Sequence, residues 1–195
     1  MRYARGHKDS TRRHIIEVAA RRFREDGIAA AGLAGLMADA GLTNGAFYGH
    51  FDSKEDLVRD ALVCGLEERA RDLRAATGKG AWLEASIRRY LSPAHRDNPG
   101  RGCPTAALVA EIARSPRSTR DAFGRRLAAH VDLIASGLRG APASRRRRAI
   151  AIHGVMVGAL QLARAVGDRR LSDEILESGV SAALGLARAR RAPGP

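Results

Sequence analysis

Five polar side chains of different chemistry occur within twelve residues in the first third of the chain. They are a hydroxyl, an amide, a phenol, an imidazole and an ammonium group: Thr43, Asn44, Tyr48, His50 and Lys54. Each can donate a hydrogen bond to a phosphate oxygen, and an Asn side chain can bind an adenine edge through two hydrogen bonds. Small residues between them, Gly45, Ala46 and Gly49, leave space for a large partner. The pattern predicts a nucleic-acid-binding surface.

The same sequence lacks the common patterns of catalysis. It has no Gly-rich phosphate loop, no Gly-x-Ser-x-Gly nucleophile turn and no His-Glu-x-x-His zinc motif. The two cysteines, Cys64 and Cys103, cannot form a disulfide framework, and no Cys/His cluster has zinc-ligand spacing. We therefore predict neither an enzyme nor a bound metal or cofactor.

Charge gives weaker support for a nucleic-acid partner. The formal charge of the 195 residues is +13, which favours an anionic partner. Residues 1–24 carry a net +6, residues 25–60 a net −5 and residues 61–195 a net +12. Most of the excess therefore lies outside the polar segment, so the total charge does not by itself locate the binding surface.

Composition narrows the class of protein further. With 45% hydrophobic residues the chain can bury a substantial core. Its apolar runs are far shorter than the roughly eighteen residues that span a bilayer. The charged N-terminus leads directly into an amphipathic pattern, without the apolar region of a signal peptide. We expect a cytoplasmic protein with no membrane partner.

The periodicity is helical along the whole chain, because apolar residues recur at intervals of three and four. A first helix is predicted over residues 10–26, and two short helices over residues 33–40 and 43–49. Ser53 and Asp56 form the capping box of a longer helix. The Pro- and Gly-rich residues 93–103 are predicted to be a loop.

The two short helices form a helix-turn-helix pattern. Gly41 lies where the chain must reverse between them. The apolar side chains that would pack this pair against the first helix are Leu36, Met37, Leu42, Phe47 and Phe51. In such a motif the second helix enters the major groove of DNA.

Residues 41–57, with the sequence GLTNGAFYGHFDSKEDL, resemble the signature of the TetR family of bacterial transcription regulators. The resemblance implies an all-α protein of about nine helices, with a DNA-binding domain over residues 1–52 and a ligand-binding and dimerisation domain over residues 53–195. It implies a homodimeric repressor that a small-molecule inducer releases from a palindromic double-stranded DNA operator. Residues 102–108 also resemble one branch of the family.

The sequence departs from the family pattern before the second helix. Ala31 and Gly32 stand where Ser or Thr is usual, and Gly35 stands where an acid is usual. Gly32 can still cap the helix but offers no hydroxyl to a phosphate. The alternative function, of a different class, is a helical protein-interaction module whose helix-turn-helix no longer reads DNA.

The predicted DNA-binding residues also have structural interpretations. Thr43 can be an ordinary N-cap, Asn44 a surface turn residue and His50 a buried histidine with satisfied nitrogens. Lys54 lies near a helix N-terminus, where the dipole disfavours a cation unless a phosphate is close. The set predicted to bind DNA is Thr43, Asn44, Gly45, Ala46, Tyr48, His50 and Lys54.

A later helix, predicted over residues 144–166, is apolar around most of its circumference. Such a helix must be covered on two sides, and a partner subunit is the expected second cover. A central helix in a monomeric bundle is the alternative. The predicted dimer interface is Ala151, Gly154, Gly158, Gln161, Ala165, Val180 and Leu184.

The ligand pocket is predicted only from residue type. Aromatic, sulfur-containing and imidazole side chains at helical spacing line either a cavity or an ordinary core. The candidates are Trp82, Tyr90, Cys103, Phe123, His130 and Met156. Cys103, at a helix N-terminus, is either a reactive thiol that senses electrophiles or a small residue that fills a turn.

Overall fold

The computed structural model describes residues 3–78 and 81–189, so the ends of the two predicted domains, residues 1–2 and 190–195, lie outside the described residues. The α-helices are α1 (Tyr3–Asp26), α2 (Leu33–Asp39), α3 (Lys54–Ala76), α4 (Trp82–Tyr90), α5 (Pro93–Arg96), α6 (Pro104–Ile112), α7 (Arg117–Ser136), α8 (Pro142–Ala165) and α9 (Arg169–Arg188). Two 3-10 helices, Asn44–Gly49 and Pro99–Arg101, complete the secondary structure.

The prediction of an all-α fold is confirmed. Residues 3–78 and 81–189 contain no β-strand. None of the helices described is both long and apolar enough to cross a membrane.

The chain divides into two compact units. The first consists of residues 3–68 with Pro99–Gly124, and the second of residues 69–78, 81–98 and 125–189. The unit that contains the helix-turn-helix therefore also includes α6 and the start of α7. The functional division at residue 52 stays a prediction.

The first unit is built on an apolar core beneath the helix-turn-helix. Ile15, Ala19 and Phe23 repeat at intervals of four on α1, and all three are buried. They pack with buried residues of α2, the first 3-10 helix, α3 and α6: Leu36, Met37, Phe47, Leu57, Ala61, Leu108 and Ile112. A helix with an apolar stripe of this kind is stabilised by burying it, so the core fixes the helix-turn-helix against α1.

The second unit is built around the pairing of α8 with α9. Gly179 lies so close to α8 that a built Cβ would be 2.6 Å from the Cβ of Ala159, which makes a larger residue there costly. Buried apolar residues of both helices, including Ile152, Leu160 and Leu176, form the core of this unit.

A network of polar groups joins α5 to α9 inside the second unit. Arg96 is buried, and its guanidinium donates to Ser172 Oγ (2.7 Å), Asp173 Oδ1 (2.6 Å) and Asp97 Oδ1 (2.8 Å). Arg169 pairs with Asp97 from the start of α9. Hydrogen bonds from Arg96 and then from Arg169 hold the pKa of the Asp97 carboxyl well below its usual value.

The prediction of a loop over residues 93–103 is wrong for much of its length. Pro93 occupies the first turn of α5, and Ser92 Oγ accepts from the His95 amide at 3.3 Å as its N-cap. Pro is favoured at the first helical position, so the residue that suggested a loop instead begins a helix. Pro99–Arg101 then forms a 3-10 turn.

Candidate nucleic-acid interface

The reversal between the two short helices is formed as the sequence predicts. Gly32 is the N-cap of α2, with extended backbone angles and no side-chain hydroxyl. Gly41 has φ +70°, in the left-handed region that favours glycine. The Leu42 amide donates to the Met37 carbonyl at 2.9 Å and closes the turn. The turn thus fixes the direction in which the backbone enters Thr43, which lies at the surface.

Residues 43–50, named here the recognition segment, contain a 3-10 helix where the sequence predicts an ordinary short helix. Phe47 in the segment is buried, and its ring stacks on buried Phe51 at a centroid distance of 5.4 Å. Tyr48 meets Phe47 edge-on at 5.2 Å and is 69% exposed. The two buried rings anchor the segment and turn the phenol outward.

Most of the remaining residues of the recognition segment are exposed to solvent. Thr43 and Asn44 are exposed, and the Thr43 hydroxyl makes no capping hydrogen bond to the described residues. A Cβ built on Gly45 or Gly49 would have no described atom within 4 Å, and neither glycine has a positive φ. Ala46 is half-buried against the core. The fold itself therefore does not require glycine at either position.

His50 lies at the end of the recognition segment in a positively charged environment. It is half-buried, and its Nδ1 atom has no hydrogen-bond partner within the described chain. Burial, and then the charges of Lys8, Arg12 and His7, lower the pKa of its imidazole below the usual value. The interpretation of His50 as a histidine with satisfied nitrogens is therefore wrong for Nδ1.

Lys54 has a partner inside the protein. Its Nζ donates to the Ile28 carbonyl at 2.9 Å, just beyond the end of α1. An ammonium group has three donors, so two N–H groups are left for a phosphate. Half of the capping box predicted at the start of α3 is confirmed, because Ser53 Oγ accepts from the Asp56 amide at 3.1 Å.

Arg12 has a structural role next to the recognition segment. It forms an ion pair with Asp60, and its guanidinium lies 4.7 Å from the centroid of the Phe51 ring. Its Nε donates to the His50 carbonyl at 3.4 Å. These contacts tie α1, α3 and the end of the recognition segment together.

Sequence reasoning did not identify the groups that fasten this surface to α6 and α7. Glu111 Oε2 accepts from the Ile28 amide at 2.7 Å and the Ala29 amide at 3.3 Å. Thr119 Oγ1 donates to Glu55 Oε1 at 2.6 Å. The pairs are separated by 64 to 83 residues, so no local pattern could have revealed them.

The residues predicted to line a ligand pocket fall in different units. Cys103 and Phe123 belong to the first unit, whereas the other four belong to the second. In the second unit the Trp82 ring lies against α7, so close that a Cβ built on Gly137 would be 2.5 Å from Trp82 Cζ2. The candidates in this unit are thus partly explained as core residues.

Half-buried His130 and buried His153 form a pair in the second unit. Their ring centroids are 4.9 Å apart, and His153 is only 7% exposed, with neither ring nitrogen bonded to a described residue. Burial lowers the pKa of each imidazole to about 4. The pair adds His153 to the predicted polar candidates near Met156, which is also buried.

Cys103 does not have the accessibility that a thiol sensor needs. It is buried as the N-cap of α6, immediately before Pro104 at the first helical position. A reactive cysteine must be reached by its oxidant or electrophile. The structure therefore supports the alternative, a small residue that fills the turn.

The predicted dimer residues on α8 lie on its outer surface. Ala151, Gly154 and Ala165 are exposed, and Gly158 and Gln161 are half-buried. A Cβ built on either glycine would meet no described atom within 4 Å. Large apolar neighbours missed by the prediction share this exposure, since Ile150 is 53% and Leu162 59% exposed.

One of the two predicted dimer residues on α9, Leu184, is corrected by the structure, whereas half-buried Val180 stays a prediction. Leu184 is 6% exposed within its own chain, and Val180 lines a groove with Arg88 and Leu91 of the same unit. Both lie on the stripe that begins at buried Leu176, one and two turns earlier. The outward apolar residue of α9 is instead Leu171, which is 44% exposed.

Part of the sequence of this chain matches a known family model and two named transcription regulators. Residues 15–61 match the model of bacterial regulatory proteins, tetR family. The chain is 43% identical over 67 residues to the HTH-type transcriptional regulator TtgR of Pseudomonas putida, covering 34% of this chain and 31% of that protein. It is 42% identical over 50 residues to the HTH-type transcriptional regulator AcrR of Shigella flexneri, covering 26% and 23%.

A likeness of fold extends over nearly the whole chain. The crystal structure of a TetR transcriptional regulator from Chloroflexus aurantiacus superposes with a TM-score of 0.75, covering 96% of this chain and 98% of that one, at 23% identity. In contrast, the matched segments of TtgR and AcrR span less than a third of those proteins. Residues 15–61 thus match the tetR family model, and the fold of the chain is similar to that of solved TetR-family regulators.

Proposed function

We propose that this protein is a DNA-binding transcription regulator whose recognition segment enters the major groove. The observation that carries the proposal is the surface around Phe47 and Phe51, where a buried aromatic pair holds exposed Thr43, Asn44 and Tyr48 outward. Hydroxyl and phenol groups suit phosphate oxygens, and the Asn amide suits an adenine edge.

The two open glycines favour DNA reading over the alternative of a protein-interaction module. Gly45 and Gly49 would tolerate side chains as far as the fold is concerned. The absence of side chains at these two positions leaves the backbone bare directly after Asn44 and directly after Tyr48, which suits close approach to a groove. A protein-binding surface of the same size would be expected to carry apolar anchors instead.

Dimerisation would supply two recognition segments. The outer surface of α8 combines small residues with exposed Ile150 and Leu162, and large apolar side chains exposed together mark an interaction site. A second copy of this chain, packed through α8 and α9, would bury them. Two-fold symmetry then requires a roughly palindromic operator with half-sites about one helical turn, or a multiple of it, apart.

Repression with release by a small molecule would follow from a ligand that binds the two conformations of the dimer unequally. The pair His130 and His153 is the feature of the second unit that suits such a ligand, because a hydrogen-bonding group would satisfy the two buried nitrogens of His153. A cytoplasmic location is expected for a protein that acts on genomic DNA.

The decisive experiment maps DNA around the gene for this protein by footprinting and measures binding to the protected duplex by fluorescence anisotropy. The expected result is one protected palindrome, bound by the wild type and lost in Tyr48→Ala. Circular dichroism checks that the variant keeps its helices. An unchanged affinity in Tyr48→Ala would contradict the proposal.

Assembly is tested separately by sedimentation. Gly158→Leu places a large side chain on the outer surface of α8 where space within the chain is open, so the monomer should fold while the dimer dissociates. Gly124→Leu, at an exposed position of α7 where a built Cβ also meets no described atom within 4 Å, is the matched control. An intact dimer for Gly158→Leu at micromolar concentration would place the interface elsewhere.

A further inference from the structure

Helix α1 begins earlier than its sequence pattern predicts. The pattern suggests a start near Ser10, but the helix runs from Tyr3. The additional two turns place His7 and Lys8 on the surface, where both side chains are exposed. These residues lie in the N-terminal 24 residues that carry a net charge of +6.

The geometry brings the additional turns next to the recognition segment. Arg12 Nε donates to the His50 carbonyl at 3.4 Å, which fixes this part of α1 beside the end of the segment. Lys8 precedes Arg12 by four residues, so the two lie on the same side of the helix about 6 Å apart along its axis. The pKa of His50 responds to the charge of Lys8, as expected for neighbouring groups.

The charge of Lys8 differs from that of Arg12 in one respect. Arg12 is paired with Asp60 on α3, so much of its charge is balanced within the protein. Lys8 makes no ion pair with any residue in the described ranges and is exposed to solvent. It is therefore a cation that lies beside a predicted DNA-reading surface and is available to an external anion.

We propose that the N-terminal turns of α1 extend the DNA interface, with Lys8 binding a backbone phosphate next to the recognition segment and His7 lying beside it. This inference rests on the proposed function and adds residues that the helix-turn-helix pattern does not contain. The contact is to phosphate, because a flexible ammonium group acts as a point charge and carries little base specificity.

The test compares Lys8→Ala with Arg21→Ala in the full-length protein on the footprinted duplex. Arg21 is an exposed cation on the same helix, thirteen residues or roughly 20 Å further along. Both variants lose one charge per subunit. Lys8→Ala should lower the slope of log affinity against log salt by about two per dimer, whereas Arg21→Ala should leave it unchanged.

Two further measurements identify the cause. Lys8→Arg should restore the wild-type salt slope, since a phosphate accepts either cation. In the free protein, NMR titration should show a higher His50 pKa in Lys8→Ala than in the wild type, because a lowering charge is removed. An unchanged His50 pKa would overturn the placement of Lys8.

Failure of this inference is distinguishable from failure of the proposed function. If the wild type binds the duplex and the two alanine variants have equal salt slopes, Lys8 is a solvated residue and this inference alone is overturned. If the wild type binds no duplex, the proposed function is overturned and this inference with it.

Discussion

The two units of the chain treat polar side chains in opposite ways. In the first unit, Thr43, Asn44 and Tyr48 are exposed on a rigid aromatic base. In the second, Arg96 is buried and bonded to Ser172 and two carboxylates. An exposed polar group keeps its donors for an external partner, whereas a buried charge such as that of Arg96 must be paired inside the protein. The contrast distinguishes residues that are available to bind a partner from residues that stabilise the fold.

The largest expected effect is a loss of stability on acidification, which tests three histidines of the second unit. The pKa values of His95, His130 and His153 are lowered to about 4 from 6.5, so these groups stay neutral when folded and bind protons when unfolded. The free energy of unfolding should be highest above pH 6.5 and fall as the pH drops toward 4. Each histidine contributes up to about 2 kcal/mol of that loss at pH 5.

Denaturant titrations across this pH range measure the effect. His153→Leu removes one of the three histidines and two unpaired buried nitrogens, so it should reduce the pH dependence without lowering stability at pH 7. A variant with the same pH dependence as the wild type would show that His153 takes up its proton in the folded state as easily as in the unfolded one.

Arg96→Met should destabilise the second unit by about 3 kcal/mol, since it leaves Asp97, Asp173 and Ser172 without their shared donor. The lower end of the usual range applies because both carboxylates are partly exposed and can regain water. Arg88→Met, which removes an exposed pair with Glu84, should cost less than 1 kcal/mol. Equal losses in urea titrations would show that burial of Arg96 is energetically unimportant.

Asn44→Ala tests the opposite class, an exposed polar residue. It should leave the free energy of unfolding unchanged and weaken operator binding by about 1–3 kcal/mol, because an adenine edge loses two hydrogen bonds. Binding to operators substituted one base pair at a time should show relaxed selectivity at one position of each half-site. Uniform weakening over all sequences would reduce Asn44 to a positioning contact.

Lys54 sharpens the comparison because it belongs to both classes. Lys54→Ala removes the hydrogen bond to the Ile28 carbonyl, so stability should fall by about 1 kcal/mol. If the two remaining N–H groups bind phosphate, the salt slope of operator binding should also fall by about two per dimer. Lys54→Arg is the control that keeps the charge. Lost stability with an unchanged slope would make Lys54 purely structural.

Local chemistry explains why much of the first unit could be predicted. Gly41 at φ +70°, the Ser53 and Asp56 capping box and the buried Phe47 each depend on residues within a few positions. Where a helix starts, and whether a Pro- and Gly-rich segment contains a short helix, were harder to predict. Helix α1 starts at Tyr3, seven residues before the predicted start at Ser10, and the short helix that begins at Pro93 has a Ser92 cap in a segment whose Pro and Gly content favoured a loop.

The second unit shows where the sequence pattern was insufficient. The apolar repeat on α9 identified Val180 and Leu184 as interface residues, yet Leu184 is buried within its own chain and Val180 is half-buried. A helical stripe shows that a face is buried but does not show what covers it. Only the packing of α9 in the folded chain distinguished these residues from exposed Leu171.

The sequence by itself determined the helical class and the recognition segment with its exposed polar residues, because periodicity, turn glycines and caps act over a few positions. The tertiary structure decided the partners of distant side chains. It placed Glu111 on the amides after α1, paired Arg96 with Asp173, and set Lys8 near His50. Such contacts depend on how helices pack across tens of residues, and no local pattern records that packing.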